Sequence, residues 1–197
     1  IATNLAAIQA KKGGDVLLLD TDPQGSATLW SRTRDESKIE PSVYCAQKFG
    51  RVDTELRKLS NKFDHIIIDA GGRDSEELRS SMLVADRVYI PLQSSQFDVW
   101  TISQMATMVS QASMLNPGMK AYIFLNRASS NPSVTETEEA REILGDLDSL
   151  ILSQVIIHDR IAYRKAARDG MAVTEMKNPD QKAIAEINLL YKEIYYG

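Results

Sequence analysis

The chain has 197 residues, a formal net charge of −4, 43% hydrophobic residues and 25% charged residues. Those proportions fit one globular domain with a substantial core. They exclude a global attraction to nucleic acid or an anionic membrane, so any DNA contact has to come from a local basic patch.

Taken in order, Ile1, Leu5 and Ile8 share one face of a helix that ends at Gly13-Gly14. A strand over 15–20 follows, then a helix over about 25–34. Pro41 opens a short strand through Cys45, and Val52, Leu56 and Leu59 mark the next helix. Strand 64–69, helix 75–85 and strand 87–91 continue the alternation. A long helix over 99–115 is stopped by Asn116-Pro117-Gly118. Strand 119–126, helix 134–144, strand 150–156, helix 159–169, strand 171–175 and helix 180–195 complete the chain. Helices alternating with short apolar strands predict a doubly wound α/β fold, a mostly parallel sheet flanked by helices. No linker or repeat interrupts the pattern, so residues 1–197 read as a single domain.

Two strands carry the chemistry. Val16-Leu17-Leu18-Leu19 is an uninterrupted apolar run, as in a strand buried on both faces, and it leads into Asp20-Thr21-Asp22-Pro23-Gln24. Ligands of parallel sheets sit beyond the carboxyl ends of the strands, so Asp20 and Asp22 fall where a phosphate and its metal are handled. The second run, Ile66-Ile67-Ile68, ends in Asp69 and is followed by Ala70-Gly71-Gly72. An apolar strand ending in Asp before small residues is the arrangement whose carboxylate holds Mg²⁺, usually through a water. Asp20, deeper at its strand end, is expected to support the water shell of that ion. Gly71 and Gly72, without side chains, are expected to bring their amides up to a terminal phosphate and to move when it leaves.

These residues resemble the ParA family of deviant-Walker ATPases of the P-loop NTPase type, which partition plasmids and chromosomes. The resemblance is carried by Asp20-Thr21-Asp22-Pro23-Gln24-Gly25-Ser26, by Ile66-Ile67-Ile68-Asp69, by Asn4-Leu5-Ala6-Ala7, and by the late pattern of Arg164, Ala167, Gly170, Val173 and Glu175. The family's Lys-Gly-Gly-x-Gly-Lys-Ser/Thr phosphate loop is expected immediately before Ile1, together with an N-terminal strand, and the sequence reads as beginning just after them.

The resemblance implies ATP and Mg²⁺ as cofactors and slow, partner-stimulated hydrolysis. It makes Asp22 the catalytic carboxylate that orients the attacking water, and it places Asn126 at the adenine base edge with Arg127 stacked on it. It also implies an ATP-dependent homodimer, nonspecific DNA binding, and a centromere-binding adaptor of the ParB kind, in the cytoplasm at the nucleoid. Arg160, Arg164 and Arg168 recur at i, i+4 and i+8 with Lys165 beside them, and this shared helix face is the candidate DNA surface.

Two other functions are open: a positioning ATPase of the same family that moves a protein cargo, and a bacterial tyrosine kinase domain with Tyr191, Tyr195 and Tyr196 as its tail. Pro23-Gln24 argues against the kinase. The C-terminal helix lacks the basic cluster of a membrane anchor. The single cysteine, Cys45, excludes an intrachain disulfide and an iron–sulfur cluster ligated by several cysteines. His65, His158, Trp30 and Trp100 are expected to be structural.

Overall fold

The computed structural model describes residues 1–93, 99–130 and 149–197. Its contacts divide the chain into two compact units, Ile1–Ser81 with Ile161–Ile187, and Met82–Arg160 with Asn188–Gly197.

In the first unit the chain runs α1 (Ala2–Lys11), β1 (Val16–Asp20), α2 (Ser26–Glu36), β2 (Tyr44–Gln47), α3 (Asp53–Leu59) and β3 (His65–Asp69), and α4 (Glu76–Met82) begins there. It returns with α6 (Ile161–Arg168), a 3₁₀ turn (Val173–Glu175) and the start of α7 (Gln181–Tyr196). The strands form a parallel sheet in the order β2-β1-β3. Central β1 is buried from end to end. A strand covered on both faces gains from every apolar side chain, about 1.5–3 kcal/mol for each Leu or Val, so it has no reason to alternate. Val16 and Leu18 pack with Ala6 and Ala7 of α1, Ala27 and Trp30 of α2, Val43 and Ala172. The small alanines let both helices lie close to the strand.

In the second unit β4 (Arg87–Leu92), β5 (Lys120–Ala128) and β6 (Ile151–His158) form a parallel sheet in that order, with α5 (Val99–Leu115) between β4 and β5 in sequence. Ile123, Phe124 and Leu125 of the middle strand are all buried, again in an apolar run without alternation. Asn116 ends α5 as its sequence implies, and its side-chain amide donates to the carbonyls of Met82 at 2.9 Å and Ala85 at 2.8 Å. The Arg87 guanidinium donates to the carbonyls of Glu193 and Ile194, supplying the partners that a helix C-terminus lacks.

The α/β class and the parallel pairing are as the sequence predicts, with the strands in two three-stranded sheets. Most element ends move by one or two residues, β5 running on to Ala128 and β6 to His158, and three differences are larger. Residues 171–175 form no strand: the Val173 amide donates to Asn4 Oδ1 and the Ala172 amide to Glu175 Oε2, so this backbone finds side-chain partners and closes a 3₁₀ turn. The strand expected from Pro41 starts at Tyr44, because the Pro41 carbonyl accepts from Arg34. Helix α4 stops at Met82 rather than 85. The helix expected over 134–144 lies outside the described residues. Among the described residues no helix is long and apolar enough to cross a membrane.

Candidate functional site

Parallel register sets Asp20 at the end of β1 directly beside Asp69 at the end of β3. The Thr21 amide extends that pairing by one residue, donating to the Asp69 carbonyl at 2.9 Å. Asp22 is thereby held just beyond the two strand ends. Its amide donates to Asp20 Oδ1 at 3.2 Å, and its own Oδ1 accepts from the Gln24 amide at 2.9 Å. Gly25 closes the loop with its amide on the Asp22 carbonyl and a left-handed φ of 64°, a conformation that glycine adopts without strain. Helix α2 starts at the next residue.

Asp20 is fully buried. Its Oδ2 accepts both the amide and the hydroxyl of Thr28, each at 2.8 Å. The strand-end carboxylate therefore caps the first turn of α2, satisfying an orphan amide and favouring the positive end of the helix dipole. Asp69 is half-buried. Burial pushes its carboxyl above the usual range, and the nearby carboxylates of Asp20 and Asp22 push the same way. Three acidic side chains thus converge on one strand-end corner.

Gly71 passes against this corner. A Cβ added there would lie 3.5 Å from both the carboxyl carbon and Oδ2 of Asp22, whereas nothing stands within 4 Å of one added at Gly72. The Gly71 backbone therefore runs beside the Asp22 carboxylate with no side chain of its own between them. Among the described residues no group of three or more His, Cys, Asp or Glu has metal-holding geometry. A divalent ion at Asp69 would take most of its ligands from water and phosphate oxygens, which is the habit of Mg²⁺ and not of a protein-caged ion.

Asn126 and Arg127 lie in the second unit, where β5 shifts register against β6. Arg127 has a φ of 54°, unusual for a residue with a long side chain. Its guanidinium is 4.0 Å from the Asp159 carboxylate. The left-handed φ falls where the pairing of β5 with β6 shifts register, next to the end of β5 at Ala128.

Helix α6 buries Ala162 and Ala166 and exposes Arg164, Lys165 and Arg168. Arg160 lies just before it, half-buried. The Arg168 guanidinium makes a two-pronged ion pair with Asp169, at 2.7 and 3.0 Å. An acidic counter-charge is therefore built into the basic face, which the helical spacing of the arginines does not reveal. Thr28 escapes sequence reading for a similar reason, because its partner Asp20 is eight residues upstream and on another element.

Acidic residues at adjacent ends of parallel strands, next to a glycine turn, lie where open α/β sheets take their ligands. Residues 1–173 match the model of the CobQ/CobB/MinD/ParA nucleotide binding domain, and the chain belongs to that family. Among similar proteins, the maintenance of carboxysome distribution protein A of Halothiobacillus neapolitanus is 26% identical over 98% of this chain and 88% of its own length. The fold is shared with a Borrelia burgdorferi B31 protein assigned to plasmid partition and bound to AMPPNP, at TM-score 0.70 and 18% identity over 98% and 91% of the two chains. It is shared as well with apo McdA of Cyanthece, at TM-score 0.69 and 17% identity over 96% and 92%.

Proposed function

We propose that this chain acts as one ParA-type ATPase domain, which dimerises with ATP, binds DNA without sequence preference and lets go after slow hydrolysis stimulated by an adaptor protein of the centromere-binding kind. The observation that carries this reading is the corner formed by Asp20, Asp22 and Asp69 with the bare Gly71 backbone against Asp22. Asp69 would hold Mg²⁺, and the ion when bound supplies charge neutralisation to the phosphate oxygens. Asp22, fixed at its amide and at Oδ1, presents Oδ2 beside Gly71, where it can accept a proton from a water and aim it. The amides of Gly71 and Gly72 would receive the terminal phosphate. Asn126 and the left-handed Arg127 are the proposed adenine contacts, and the exposed Arg164, Lys165 and Arg168, with Arg160, the proposed DNA contacts. Such a protein would work in the cytoplasm at the nucleoid.

The resemblance to a carboxysome distribution protein over nearly the whole chain favours a second cargo, a protein body carried by the same ATPase cycle. A tyrosine-kinase tail fits poorly, since Tyr191 is buried and stacks at 4.6 Å on Tyr195, whose phenol burial pushes up to about 12.

The test is Mg²⁺-dependent ATP hydrolysis by the protein expressed from its whole gene, together with light scattering in ATP and in ADP. Turnover and an ATP-specific dimer are expected. A dimer of equal strength in both nucleotides would remove the switch.

A further inference from the structure

The Asp20 carboxylate is fully buried, and three hydrogen bonds engage it from two directions. Oδ1 takes the amide of Asp22 at 3.2 Å, and Oδ2 takes the amide and the hydroxyl of Thr28 at 2.8 Å each. One carboxylate therefore ties the backbone of the proposed water-orienting residue to the first turn of α2. The loop between these two anchors is short and has its own internal ties, Gln24 amide to Asp22 Oδ1 and Gly25 amide to Asp22 carbonyl. If the Thr28 hydroxyl is removed, Oδ2 keeps only the Thr28 amide, and Asp20 can turn away from the amide of Asp22. The side chain of Asp22 then loses its aim although none of its own atoms has changed.

We infer that Thr28, acting through Asp20, is a positioning residue for Asp22, and that Asp20 serves this clamp in preference to the metal. The hydroxyl of Thr28 can be deleted without touching the backbone, which makes the role separable. The catalytic consequence rests on the ATPase reading above; the mechanical one does not.

Thr28→Val keeps the side-chain shape and deletes the hydroxyl. It should lower kcat by about 10²-fold, the cost of misplacing a reacting group by roughly 1 Å, with KM for ATP nearly unchanged. Thr28→Ser, which restores the hydroxyl, should recover most of the rate. Asp20→Asn cannot accept from Thr28 with its amide nitrogen, so it should resemble Thr28→Val, with half-saturation by Mg²⁺ near the parental value in both. A marked rise in the Mg²⁺ requirement of Asp20→Asn alone would return Asp20 to the metal and overturn the clamp.

Amide hydrogen exchange supplies the readout that needs no turnover. In Thr28→Val the amides of Asp22 and Gln24 should exchange at least several-fold faster while those of β1 keep their protection. Parental exchange at Asp22 in that variant would overturn the positioning role whether or not the protein hydrolyses ATP. Absence of ATPase activity in the parental protein, with faster exchange in the variant, would overturn the ATPase reading and leave the clamp standing.

Discussion

Arg34 and Glu175, 141 residues apart, form a two-pronged ion pair at 2.7 and 2.8 Å in which the arginine is completely buried. The remaining donors of the guanidinium go to the Pro41 carbonyl, from Nε at 3.0 Å and Nη2 at 2.8 Å, and to the Gly170 carbonyl at 3.1 Å. All five N–H groups of the side chain are used. Trp30, one turn earlier on α2, carries the guanidinium at 5.3 Å from its ring centre and donates its indole N–H to the Met171 carbonyl at 3.1 Å. The late sequence pattern ending in Glu175 is thus a docking device that fastens the segment after α6 onto α2. Removing Glu175 as Glu175→Ala strands a buried cation, and unfolding in urea should show a loss of about 3–5 kcal/mol.

The same pair sets a pH dependence. Burial alone would raise the Glu175 carboxyl, but hydrogen bonds from Arg34 and the Ala172 amide, with the charges of Arg34 and Lys11, hold it below the usual glutamate range. A carboxyl lowered in the folded state binds fewer protons than in the unfolded chain. Its stabilisation is complete above the unfolded value near about 4.3 and is lost as pH falls through the lower, folded value. Melting temperature followed downward from pH 6 should fall less steeply in Glu175→Gln than in the parental protein, from a lower starting point. Parallel curves would mean that Glu175 is not a titrating contributor.

Gly170 is required twice over. Its φ is 69°, and a Cβ there would stand 2.5 Å from the backbone nitrogen of Arg34 and 2.8 Å from its Cα. Gly170→Ala adds a left-handed backbone cost of about 1–2 kcal/mol to an overpacking cost of about 1–3 kcal/mol. Denaturant unfolding should report a loss in the range of that sum, whereas Gly72→Ala, with open space around it, should cost far less.

Much of this is legible in the sequence. The run Val16–Leu19 announces a strand buried on both faces, and Asp20, Asp22 and Asp69 announce a strand-end site, because apolar runs and terminal carboxylates are local signals. The stop at Asn116 is also local. What stayed hidden depends on partners distant in sequence. Residues 171–175 have the composition of a strand, yet Asn4 and Arg34 claim their polar groups. Arg34 itself looks like one more surface arginine of a helix, and nothing within several residues indicates that it is buried. The tie between Asp20 and Thr28 is hidden as well, because it joins two different elements.

The proposed DNA contacts carry a quantitative expectation. With about three phosphate contacts per subunit, the ATP dimer should bind duplex DNA with a log–log salt slope of roughly −5. Arg164→Ala with Arg168→Ala should flatten that slope and weaken binding equally on unrelated sequences, with turnover in the absence of DNA near parental. Because Asp169 occupies two nitrogens of Arg168, Asp169→Asn should tighten binding and steepen the slope by about 1. Full affinity in the double variant would move the surface elsewhere. No binding by the parental ATP dimer at low salt would favour the protein-cargo reading without DNA.

The most direct measurement is single-turnover ATP hydrolysis by Asp22→Ala beside the parental protein, with bound nucleotide and dimer followed in the same samples. Asp22 is held at the strand-end corner by Asp20 and Gln24, beside Gly71, and its proposed role is to aim water and not to bind the nucleotide. The variant should therefore bind ATP at parental affinity, lose turnover by about 10²–10⁴-fold, and stay trapped as the ATP dimer. Hydrolysis at the parental rate in Asp22→Ala would contradict the account at its centre.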